Sequence, residues 1–99
     1  MEKIKRITMK TKIKLTKLSF NPDNYKYIKG GETRTGYIEE TPIIDKPFII
    51  YDCEETNGKT FITSPVKSAS AREEVENNEK IWIVRFLTHN SSYEYKEIK

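Results

Sequence analysis

The sequence predicts an all-β domain, a small antiparallel barrel or compact sandwich of about six strands. Three observations carry that expectation. Residues 7–16 alternate apolar and polar side chains. Asn57-Gly58 separates two β-rich runs. Turn chemistry then recurs about every 8 to 12 residues.

The elements follow in order. Ile7, Met9, Thr11, Ile13 and Leu15 alternate with Thr8, Lys10, Lys12, Lys14 and Thr16, giving a strand with one buried and one polar face. The phase slips before Leu18 and Phe20, as a bulge near Thr16 or Lys17 would produce. Asn21-Pro22-Asp23-Asn24 ends the strand, and Tyr25, Tyr27 and Ile28 lead into Gly30-Gly31, read as a loop. Residues 35–41 read as a short strand, and Pro42 and Pro47 bracket a connection. Phe48 to Cys53 is β-rich and apolar on both sides, like a central strand. Asn-Gly at 57–58 then marks a hairpin, because both residues tolerate positive φ. The return strand, Lys59 to Ser64, is expected to stop or kink at Pro65.

Residues 66–80 leave two readings open. Ser70 followed by Glu73 fits a capping box for one short helix over Ala69–Val75. The favoured alternative is a polar strand from Val66 to Val75 that turns at Asn77-Asn78. Ile81 to Thr88 is a firm strand with Trp82, Val84 and Phe86 on one face. His89 to Ser92 turns the chain, and Tyr93 to Ile98 closes it.

Ninety-nine residues fit a single domain, 1–99, with a Lys-rich first strand inside residues 1–20. One cysteine, Cys53, allows no intramolecular disulfide, and one histidine, His89, leaves too few ligands for a structural zinc site. No metal and no cofactor is expected. Cys53 and His89 are the one nucleophile–base pair that composition offers, but no third orienting group is marked. A lone strand cysteine reads more simply as core. A non-enzymatic protein is therefore expected. Lysines interrupt any apolar run near the N-terminus, and nothing approaches the roughly 20 apolar residues needed to span a bilayer. The expectation is a cytoplasmic protein without membrane contact.

The charge is polarised. Residues 1–20 hold seven Lys or Arg and one acid, a net of +6, whereas the whole chain is only +3. On a strand, Lys10, Lys12 and Lys14 share one face at intervals of about 6.6 Å, close to the phosphate spacing of an extended nucleic-acid strand. The competing reading is ordinary protection of an edge strand by lysine. Strands that bind single-stranded nucleic acid add rings on which bases stack. Tyr25 and Tyr27 read as an exposed pair, Tyr37, Tyr93 and Tyr95 as further rings, and Arg34 as a cation near the Gly30-Gly31 loop. That loop resembles an anion nest in composition only, since it lacks the P-loop pattern. Trp82 and Phe86 read as core. The acidic cluster Glu73, Glu74, Glu76 and Glu79 reads as solvated surface.

Thr35-Gly36-Tyr37-Ile38, Pro47-Phe48, Asn57-Gly58-Lys59, Phe61 to Val66 and Phe86 to Tyr93 together resemble a loose group of short proteins from phages and mobile elements. The resemblance spans about residues 35–95. It implies a Src-homology-3-like small barrel, a phage-type origin acting in the host cytoplasm, and no particular activity. The Lys-rich segment before residue 20 lies outside it, and the Ser-Ala-Ser-Ala segment departs from it.

These readings converge on a binding protein that captures a phosphate-bearing ligand, nucleic acid or signalling nucleotide, to inhibit host defence or regulation. The residues expected to carry it are Lys10, Lys12, Lys14, Tyr25, Tyr27 and Arg34. A host protein bound through the Tyr-rich loop and an open sheet edge is the alternative partner, and the basic strand is also placed to pair with a second copy.

Overall fold

The computed structural model describes residues 10–21 and 26–98. Six antiparallel strands close into one barrel in chain order: β1 (Thr11–Asn21), β2 (Lys26–Ile38), β3 (Pro47–Cys53), β4 (Lys59–Glu76), β5 (Glu79–Thr88) and β6 (Ser92–Glu97). β6 returns to β1, pairing Ile13 with Glu97 through Leu18 with Ser92. The all-β expectation holds, and the first strand, as far as it is described, follows its alternation. Ile13, Leu15 and Leu18 point into the core, while Lys10, Lys14 and Ser19 are exposed.

The bulge expected near Thr16 or Lys17 is present. Thr16 lies opposite Thr33 but Leu18 opposite Lys29, so β2 accommodates Gly30, Gly31 and Glu32 against Lys17 alone. This corrects the loop reading of Gly30-Gly31. Both glycines lie inside β2, and Gly31 takes no left-handed φ. A Cβ on Gly31 would sit 3.3 Å from Lys17 Cβ, so a glycine there lets the two strands meet at the bulge.

Gly36 answers a tighter demand. A Cβ there would lie 2.5 Å from the Tyr51 carbonyl oxygen and 2.7 Å from Ile50 Cγ2. β2 therefore crosses β3 at a distance only glycine permits. The β2–β3 ladder is short, with Tyr37 opposite Tyr51. Glu55, in the 3₁₀ turn Glu54–Thr56, braces it by accepting from the Thr35 main-chain N–H (2.6 Å) and hydroxyl (2.7 Å).

β3 enters β4 through Glu54 to Gly58, where Asn57 (φ 58°) and Gly58 (φ 87°) take the left-handed conformations expected of Asn-Gly. β4 does not stop at Pro65. Pro65 faces Pro47 at the end of the β3 ladder, and from Val66 onward β4 pairs with β5. The missing proline N–H thus falls where the strand changes partners. The helix option over 69–75 does not form: these residues are strand, and Asn77 (φ 51°) and Asn78 (φ 65°) make the two-residue turn into β5.

The core holds Ile13, Leu15, Ile38, Phe48, Ile50, Cys53, Val66, Val84, Phe86, Tyr93 and Tyr95. Phe86 stands at its centre, with ring centroids 4.7 Å from Phe48 and 5.3 Å from Tyr93. Such pairs add about 0.5–1.5 kcal/mol beyond area burial. Tyr93 and Tyr95, read from sequence as rings available for stacking, are 7% and 2% exposed and belong to this cluster. Phe86 is core as expected. Trp82, on the same face but nearer the hairpin, is 44% exposed. Among the described residues no helix is long and apolar enough to cross a membrane.

Candidate anion-binding face

Strand register decides which expected site residues meet. Residues directly opposite on neighbouring strands share a face. Lys12 lies opposite Tyr37, and Tyr37 opposite Tyr51, so a cation and two phenol rings form one row across β1, β2 and β3. The Lys12 ammonium stands 6.0 Å from the Tyr37 ring centroid, and the Lys10 ammonium 5.6 Å from that of Tyr51. Both distances are within cation–π range. Lys14, next along β1, is exposed and faces Thr35 on one side and Lys96 of β6 on the other. The outward side of β1 therefore carries Lys10, Lys12 and Lys14 in series, with Lys96 beside the last.

Two carboxylates border this face. Glu54 Oε2 is 2.9 Å from Lys12 Nζ, and this hydrogen bond and charge raise the Lys12 ammonium above its ordinary pKa. An exposed pair of this kind is screened by salt and exchanges readily for another anion. Lys96 donates to Glu76 at 2.9 Å, also at the surface. Burial pushes the neighbouring Glu55 carboxyl up, but the Thr35 hydrogen bonds and the nearby Arg34 charge outweigh it and hold it below the usual range. Glu55 is thus a fixed structural anion rather than an acid–base group.

The edge-protection reading does not fit Lys14, which has a strand neighbour on each side. β1 is paired along one side to β2 and along the other to β6. At Lys14 it therefore has no free ladder to guard; Lys12 is paired with β2 and its carbonyl accepts from the Ile98 N–H, while Lys10 lies before both ladders. Barrel closure removes the open edge at Lys14.

Arg34 is not part of the row. It lies opposite Leu15, on the inward side of β2, with its guanidinium 5.2 Å from the Phe61 centroid. Its Nη1 donates to the Thr33 carbonyl and its Nη2 is 3.9 Å from Glu32. Tyr25 lies outside the described residues, and Tyr27 is placed by its backbone alone, opposite Phe20. Three of the six expected residues therefore assemble: Lys10, Lys12 and Lys14.

Tyr51 and Lys96 were missed. Tyr51 sat inside a run read as apolar on both faces, although Phe48 and Ile50 alternating with Ile49 and Tyr51 already marked it as outward. Lys96 is at the other end of the chain, and only closure of β6 on β1 brings it near. Cys53 is fully buried, and burial, then the Glu55 charge, push its thiol up. That environment stabilises the protonated thiol instead of a nucleophilic thiolate. His89 is exposed in the β5–β6 turn. Among the described residues no group of His, Cys, Asp or Glu is arranged to hold a metal ion. No family model, no curated protein and no solved structure matches the chain.

Proposed function

We propose that this is a non-catalytic binding protein that captures a phosphate-bearing ligand, best served by single-stranded nucleic acid, on the outward face of β1–β2–β3. The observation that carries the reading is the Lys12–Tyr37–Tyr51 row with Lys10 held over Tyr51. Lysines repeating every second residue match a run of phosphates, and phenol rings beside them offer stacking surfaces. The cations are spread along a strand instead of converging on a closed cavity, which favours an extended polymer over a free nucleotide. Binding of this kind breaks no bond, and in a phage-type accessory protein it would act by sequestering the ligand from host machinery.

A second reading has its own observation. Ile49 and Ile62 are paired across β3 and β4, and Ile62, Ile43 and Ile44 are 60%, 39% and 50% exposed. An apolar rim of this sort suits a protein partner.

Fluorescence anisotropy with a labelled oligothymidylate separates the two. Lys10→Gln, Lys12→Gln and Lys14→Gln together should abolish binding at low salt, and Tyr51→Leu should weaken it with little change in salt dependence. Each lysine contact removed lowers the slope of log affinity against log salt by about 0.7. Binding that survives the triple substitution refutes the reading.

A further inference from the structure

A second site lies at the barrel end where β1 begins and β2 and β6 finish. A cleft of about 380 Å³ opens there between Thr41-Pro42 and the β4–β5 arm, lined also by Ala69, Ala71, Trp82 and Val84. That volume is within the range of small-molecule sites. Its lining is mostly apolar, and Ala69 and Ala71 leave the space that larger residues would fill.

Among the described residues, the charged side chain lining the cleft is an acid, Glu97, and a second acid stands beside Trp82. Glu73 lies opposite Trp82 on β4. On the other side, Glu97 Oε1 accepts the Trp82 main-chain N–H at 3.4 Å. Glu97 also lies opposite the fully buried Ile13, which places it on the inward side of β6. A row of carboxylate, indole and carboxylate therefore crosses β4, β5 and β6. Among the described residues neither Glu73 nor Glu97 has an ion-pair partner, in contrast to Glu54, Glu74, Glu76 and Glu94, which all do.

An exposed indole face attracts cations through its quadrupole, and tryptophan is the best of the aromatic residues at this. Two carboxylates beside it, without an ion-pair partner among the described residues, add Coulomb attraction for the same charge and repel anions. Apolar walls behind them suit a hydrocarbon stem. We infer that this cleft binds a small organic cation, an ammonium or guanidinium head on a short aliphatic stem, with the head over Trp82 between Glu73 and Glu97 and the stem against Pro42, Ala71 and Val84. This site is independent of the lysine face, which lies on the outward side of the barrel and selects the opposite charge.

Trp82 is the sole tryptophan, so its fluorescence reports on the cleft directly. Titration with n-butylammonium and with agmatine should give a saturable change in Trp82 emission. Neutral n-butanol and anionic butyrate, of similar stem, should bind at least tenfold more weakly. Glu73→Gln, on the exposed arm, should weaken the cations about tenfold and leave butanol unchanged. Glu97→Gln should do the same, with circular dichroism checking that the barrel is intact. The triple lysine variant should titrate like wild type. Equal response to butanol and n-butylammonium would show a merely apolar cleft, and a linear, non-saturating response to both cations would show no site; either overturns the inference.

Discussion

At the scale of single residues, two positions hold the candidate face in place. Gly36 sits where a Cβ would meet the Tyr51 carbonyl and Ile50. Backbone cannot swing aside as a flexible side chain can, so Gly36→Ala forces β2 away from β3. Overpacking of this sort costs about 1–3 kcal/mol. Chemical denaturation should show that loss, and the Tyr37–Tyr51 alignment should suffer with it. Glu55 braces the same seam from the 3₁₀ turn. Its folded pKa lies below the ordinary 4.5, so its contribution is present above about that pH and is lost as pH falls through the lower folded value. Glu55→Gln should therefore destabilise at neutral pH, by about 1 kcal/mol for charge-assisted bonds at a solvated site. The difference from wild type should vanish in acid. Urea melts of the two proteins across pH would reveal it, and a gap that persists below the folded pKa would contradict the assignment.

At the scale of elements, the legible parts were those where one local rule acts alone. The alternation through Leu15 placed the inward and outward faces of β1, and the slip before Leu18 located its bulge. Asn57-Gly58 and Asn77-Asn78 both turn through left-handed residues, as their chemistry requires. The Asn77–Asn78 turn yields a specific expectation. Asn78→Val places a β-branched residue at φ 65° and should cost about 1–2 kcal/mol in thermal or chemical melts, whereas Asn78→Gly should be nearly neutral. Where the sequence misled, a tertiary pairing overrode a local habit. Gly30-Gly31 reads as a loop, but both lie inside a continuous β2, where the bulge brings Gly31 close to Lys17. Pro65 reads as a stop or a kink; the strand does not stop there but exchanges β3 for β5 beside it. Ser70 and Glu73 also fit a helix start, but the favoured strand reading is the one that forms, paired with β5 from Val66 to Glu76.

At the scale of the whole molecule, closure explains both what was found and what was missed. Three lysines on one strand were legible from their period of two. Their neighbours were not, because Tyr51 and Lys96 arrive through strands distant in sequence. Closure also leaves Lys14 no free edge to guard, since β1 is paired on both sides there. It further separates two faces of opposite character: outward lysines with Tyr37 and Tyr51, and a barrel mouth where Trp82 stands between Glu73 and Glu97. A net charge of +3 conceals that division. The triple lysine substitution removes one surface ion pair and two exposed cation–π contacts, each of small energy, so its melting temperature should stay close to that of wild type while anion binding is lost. A large drop in stability would mean that the lysines serve the fold. The most direct measurement of the central claim is a map of backbone amide shifts by two-dimensional NMR, titrated with oligothymidylate at low salt. The proposal predicts that the largest changes cluster at residues 10–14, at Tyr37, at Tyr51 and around Lys96, and fade as salt rises. Changes centred on the β4–β5 arm and Trp82, or no saturable change at all, would contradict it.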